Sequence, residues 1–238
     1  MASVFTVMSP PKPRDRARRA KPIAAGSAEE LTKLALKAGL IARDATFNML
    51  ELLRNSSRMA YLAIRDCEKE LDQIERYIDE HVPGAITQVS ESKARQLLAS
   101  LKAITDLERI GDLVFGVAQR LHARSQALPL NDAENLLRMT VILHDMLEQI
   151  HEGFVTLNME CAKRVLRVDA ELDQICHSFF RKHLTDPALP QDTPAFEVPL
   201  MAQALERAGD HAKNLAEELV SLIEGHTARH PPKRRPVQ

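Results

Sequence analysis

The stretch Leu107-Glu108-Arg109-Ile110-Gly111-Asp112, with Asp106 ahead of it, returns 98 residues later as Leu205-Glu206-Arg207-Ala208-Gly209-Asp210. In a chain of 238 residues, a repeat at that distance describes one unit written twice. Both copies lie in helix-like sequence. Around the first, Leu97, Leu101, Ile104, Leu107, Val114, Val117 and Leu121 fall at three- and four-residue steps, the spacing of a buried helical stripe. Glu108 and Asp112 are then one turn apart on one face. Glycine inside a helix costs about 1 kcal/mol relative to alanine. Its presence at the same place in both copies, Gly111 and Gly209, predicts that something approaches the helix there.

A second repeated segment adds more acid. Glu70-Leu71-Asp72-Gln73-Ile74 returns 101 residues later as Glu171-Leu172-Asp173-Gln174-Ile175, and Glu68 aligns with Asp169. Each half thus carries two acid-x-x-x-Asp pairs on two helices. They are Glu68/Asp72 with Glu108/Asp112, and Asp169/Asp173 with Glu206/Asp210. A single such pair is ordinary on a solvated helix face, because 33 residues are acidic. The agreement between halves singles these out. Like charges at i,i+4 cost about 0.2–0.5 kcal/mol per pair. Two such helices packed together crowd four carboxylates, so either one stays protonated or a cation sits between them. An all-oxygen site suits magnesium, calcium, manganese or iron better than a thiolate zinc site does.

Composition narrows the class. Aromatics are 4% and Trp is absent, so aliphatic side chains must do the packing, which suits helix-on-helix contacts. No apolar run is long enough for a membrane span. Cys67, Cys161 and Cys176 are isolated, which argues against a disulfide framework or zinc ribbon and for ordinary thiols in a reducing cytoplasm. Residues 1–27 carry a net +5 and residues 226–238 a net +4, which leaves −10 for residues 28–225 in a chain of net charge −1. An acidic core does not suit nucleic acid. Neither a Walker-type loop nor a Gly-x-Ser-x-Gly elbow occurs, so no nucleotide hydrolase or nucleophilic enzyme is expected. Glu148-x-x-His151 has di-iron spacing but lacks the second such pair those sites need.

The expected fold class is all-α, two tandem repeated three-helix bundles with disordered N- and C-terminal tails. The domains are a disordered basic arm over 1–27, a first three-helix bundle over 28–127, a second over 128–227 and a basic tail over 228–238. Ser27 caps a first helix that runs to about Asn55. A second covers roughly 58–82 and stops before Pro83-Gly84, and a third runs from about 92 to 125. Asn131 or Asp132 caps the fourth, which runs to about 157. The fifth covers roughly 158–184. The last spans about 197–225, with Gly225 just past its end. Asp44 and Asp145 also match at the 101-residue offset, as surface acids or as polar neighbours of the sites.

The doubled signature resembles the PhoU family. The second copy carries it through Glu206, Arg207, Gly209, Asp210, His211, Ala212, Asn214, Ala216 and Glu217, and the Gly225–His230 ending resembles that family's finish. The resemblance runs from about residue 28 to 230. It implies a cytoplasmic, non-enzymatic, negative regulator of phosphate uptake and phosphate-starvation signalling. A phosphate ABC transporter and a sensor histidine kinase are the implied partners, and a homodimer is expected. Metal ions (iron, zinc, manganese or magnesium) are implied at Glu68, Asp72, Glu108, Asp112, Asp169, Asp173, Glu206 and Asp210. The alternatives are an accessory protein of another phosphate or metal transporter, or a metal-binding bundle with enzymatic or storage activity.

Around these acids, Arg109, Arg207, His211, Asn214 and Glu217 are the candidate supporting residues. Each arginine either pairs with an acid one turn away or balances the acidic cluster. His211 is read as a ligand, a group behind a ligand or an interface residue. The first copy departs from the family's pattern, with Leu113, Gly116 and Gln119 in place of His, Asn and Glu. The Glu206/Asp210 site is therefore expected to bind metal more tightly than the Glu108/Asp112 site.

Overall fold

The computed structural model describes residues 26–185 and 197–225. The basic arm and basic tail, expected to be disordered, lie outside these residues apart from Gly26 and Ser27. Six helices and no strand occur among the described residues: α1 (Ala28–Asn55), α2 (Arg58–Ile86), α3 (Glu91–Ala123), α4 (Leu130–Thr156), α5 (Met159–Thr185) and α6 (Glu197–Glu224). No described helix is long and apolar enough to cross a membrane.

The helix ends follow local chemistry. The Ser27 hydroxyl accepts from the Glu30 N–H at 3.3 Å, while the Glu30 carboxylate takes the Gly26 N–H. Helices α1 and α4 end alike, on Ser56 (φ 49) and Leu157 (φ 52), both left-handed and 101 residues apart. That conformation costs a non-glycine residue about 1–2 kcal/mol. It lets two-residue links turn the chain straight into α2 and α5. Gly225 holds a positive φ of 75, as a C-terminal glycine should.

Two boundaries differ from the sequence reading. Helix α2 runs through Pro83 to Ile86. The proline forfeits one intrahelical bond, but its ring and Gly84 face solvent, while Val82 and Ala85 on the other side are buried in the core. Packing outweighs the break. Pro129, not Asn131 or Asp132, is the cap position of α4. Asp132 instead sits in the first turn, fully buried, with Lys182 Nζ at 2.7 Å and His183 Nε2 at 3.2 Å. A carboxylate there also faces the positive end of the helix dipole.

Helices α1, α2 and α3 pack on one another, as do α4, α5 and α6. The halves meet side by side through α1 against α4 and α3 against α6. Both pairs are antiparallel: Thr46 Oγ1 lies 3.0 Å from His144 Nδ1 while Gly39, earlier in α1, faces His151, later in α4, and Lys102 pairs with Glu218 at 3.1 Å while Arg95, a little earlier, reaches the Gly225 carbonyl at 2.8 Å. The result is a central four-helix layer with α2 and α5 on opposite flanks. One apolar core runs through both halves, from Leu31 and Ile64 to Leu172 and Leu219.

Candidate functional site

The repeated glycines meet the repeated leucines. A Cβ on Gly111 would lie 2.6 Å from Leu71 Cδ1, and one on Gly209 would lie 2.4 Å from Leu172 Cδ1. Both leucines are buried, at 0% and 1% exposure, so they have little room to withdraw. The approach predicted at these glycines is thus the leucine of Glu-Leu-Asp-Gln-Ile on the neighbouring helix. The glutamate beside each leucine ties that helix to the first of its bundle: Glu70 accepts from Lys37 at 2.5 Å, and Glu171 from Arg138 at 2.6 Å. The pairs are equivalent at the 101-residue offset. Together, the lock and the tie fix the register in which the paired acids of α2 and α3, and of α5 and α6, are brought together.

In the first half the acids press on one another. Burial, then Asp112 and Asp72, hold the Glu68 carboxyl above the usual range. Burial, then Asp112 and Glu75, push Glu108 up to about 7, against the pull of Arg109. Glu108 Oε2 is buried without a hydrogen-bond partner. Arg109 reaches Asp112 at 3.4 Å and Glu108 at 3.5 Å, the arrangement of an arginine that both pairs and balances. Arg76 bonds Asp72 at 2.5 Å. Sequence reasoning missed Glu75, itself held high chiefly by burial. Its signal was present: Glu68, Asp72, Glu75 and Asp79 step along one face of α2.

The second half differs in chemistry. Burial, then Asp210 and Asp173, raise Glu206, and burial, then Asp169 and Asp173, raise Asp210. Arg207 pulls Glu206 the other way. Lys213, which the sequence reading passed over, bonds Asp169. Where the first half has Glu75 and Arg76, the second has Cys176 and His177. Burial, then Glu206 and Asp173, push the Cys176 thiol up to about 11. His177 Nδ1 lies 2.7 Å from the Asp173 carbonyl, an acceptor only, so Nδ1 carries the proton.

The supporting residues are placed differently from one another. His211 Nδ1 lies 2.8 Å from Asp106 Oδ1, and the Asn214 amide donates to the same oxygen at 3.3 Å. Both therefore serve the seam between α6 and α3, although the charge of His211 still reaches Asp210. Glu217 is half-buried on α6. Asp44 and Asp145 are exposed, Asp44 pairing with Arg43 at 2.8 Å. Two of the three extra groups of the second site thus answer to Asp106, while each half has a cation on its acids, Lys213 on Asp169 and Arg76 on Asp72. The three cysteines are free thiols.

Among the described residues, no three carboxylate, imidazole or thiol groups already converge as a cage for a metal. The donor set nevertheless fits a cation in kind. The carboxylates repel one another, they are partly buried, and one buried oxygen, Glu108 Oε2, has no hydrogen bond and only the long ion pair with Arg109.

The comparisons with known proteins agree with the repeat. The PhoU domain model matches residues 35–121 and again 136–219. A phosphate-specific transport system accessory protein PhoU homolog from Burkholderia sp is 28% identical over 204 residues, covering 82% of this chain and 86% of the relative. The homolog of the same name from Rhizobium meliloti (strain 1021) is 29% identical, covering 82% and 84%. The crystal structure of PhoU from Pseudomonas aeruginosa has the same fold, with a TM-score of 0.74 at 23% identity over 83% of this chain and 97% of that one. With both halves matched by the domain model, the chain belongs to the PhoU family.

Proposed function

We propose that this protein is an accessory regulator of phosphate uptake that keeps phosphate-starvation signalling off while phosphate is plentiful. It acts in the cytoplasm as a homodimer, against a phosphate ABC transporter and a sensor histidine kinase, and its role is regulatory rather than catalytic. The single observation that carries this reading is the PhoU domain across both halves, together with relatives named as phosphate transport accessory proteins.

In the same reading the acid pairs hold metal ions. Glu68, Asp72, Glu75, Glu108 and Asp112 form an oxygen donor set suited to manganese, magnesium or iron. Asp169, Asp173, Glu206 and Asp210 stand beside Cys176 and His177, which favours a softer ion such as zinc or iron(II). A bound cation supplies charge neutralisation there. It relieves the repulsion and fixes the flanking helices against α3 and α6.

Deleting the gene tests the proposal. A phosphate-starvation reporter should be strongly expressed in the deletion strain in phosphate-rich medium and silent in the parent. A reporter that stays silent in both strains contradicts it.

A further inference from the structure

A cavity of about 200 Å³ lies where α1, α3, α4 and α6 meet, and none of the paired acids lines it. Ala35 and Gly39 of α1 and Ala99 and Ala103 of α3 leave the space that larger side chains would fill. No Lys, Arg, Asp or Glu lines it. The Thr32 hydroxyl is spent on the Ala28 carbonyl at 2.9 Å and the Ser100 hydroxyl on the Gln96 carbonyl at 2.9 Å. His151 is the exception. Its Nδ1 is buried without a hydrogen-bond partner and lies against Gly39, where a Cβ would meet it at 3.5 Å.

Apolar cavities of about 150 Å³ stay dry and take up molecules of benzene size. This one is larger, opens to solvent beside Gln96, Val155 and Leu157, and holds one buried polar atom without a hydrogen-bond partner. Burial, then the charge of Arg43, hold the His151 imidazole below its usual range against the pull of a backbone hydrogen bond at Leu36, and so favour the neutral ring. An anion has no cation to meet inside, and inorganic phosphate is excluded on that ground. A hydroxyl both donates and accepts, so it pairs with Nδ1 in either neutral tautomer. We propose that this cavity binds a small uncharged alcohol or phenol, its apolar body among the alanines and its hydroxyl on His151 Nδ1.

The test uses phenol and benzene as probes on the full chain, by calorimetric titration. Both should bind, and a large excess of inorganic phosphate should displace neither. Gly39→Ala places a methyl in ordinary contact over Nδ1 and favours the helix, so it should fold with an undiminished melting temperature. It should weaken phenol about fivefold, the worth of one hydrogen bond, and benzene much less. Ala103→Leu fills the cavity and should abolish both. Should Ala103→Leu fail to fold, Gly39→Ala decides alone. No phenol binding to the unaltered protein overturns the proposal, and so does affinity unchanged in the variants. An equal loss of phenol and benzene in Gly39→Ala overturns the role of His151.

Discussion

Divalent metal should raise the melting temperature of the purified protein by about 5–10 °C over the value in chelator. A ligand at a hundred times its Kd stabilises by about 2.7 kcal/mol per independent site. In a chain of this size each kcal/mol is worth about 2–4 °C. The chelated protein should also show how the site is built. Glu108 titrates near 7 when folded and in the ordinary carboxylate range near 4.5 when unfolded. Between those values the folded state holds a proton that the unfolded state has released. Stability in chelator should therefore fall as pH rises through that window. Glu68, Glu206 and Asp210 are displaced in the same direction. Glu108→Gln should then raise the melting temperature at pH 8 in chelator, change it little at pH 5, and lose most of the gain from metal at the first site. Equal melting temperatures with metal and with chelator would mean a plain acidic face, and a Gln variant less stable at pH 8 in chelator would contradict the repulsion.

The glycine–leucine lock predicts the other large effect. Leu172→Ala should destabilise by about 2–5 kcal/mol, since it empties a buried site. Gly209→Val should cost about 1–3 kcal/mol by driving carbons into Leu172. The informative comparison is Gly209→Ala in two backgrounds. Beside the native Leu172, the new methyl has no room. Where Leu172→Ala has already been made, the methyl occupies space the leucine left, and it gains helix propensity besides. Gly209→Ala should therefore be more favourable in the Leu172→Ala background, with a coupling that denaturant titration can read. Strict additivity would mean that the two side chains do not share the space.

The helical pattern and the doubling were open to the eye in the sequence because both rest on local periodicity. The glycines predicted a close approach correctly, but the residue approaching could not be named, because Leu71 and Leu172 lie on another helix. Pro83 misled because a breaker on a solvent-facing side loses to Val82 and Ala85 packed beneath it. Asp132 misled because its partners, Lys182 and His183, come from the far end of α5. His211 and Asn214 follow the motif so closely that they looked like part of it, yet their partner Asp106 belongs to the other half. Glu75 escaped because matching the halves discards what differs: its counterpart is Cys176. The same comparison that revealed the acid pairs hid the chemistry that distinguishes them.

The most direct measurement of the central claim, that the paired carboxylates carry the regulation, is complementation of the deletion strain. The complementing chain should carry Glu108→Gln, Asp112→Asn, Glu206→Gln and Asp210→Asn together. These near-isosteric changes remove repulsion, so the protein should accumulate and fold as the unaltered chain does. The account predicts that the starvation reporter nonetheless stays on in phosphate-rich medium. Full repression by the fourfold variant, at equal protein level, would contradict it.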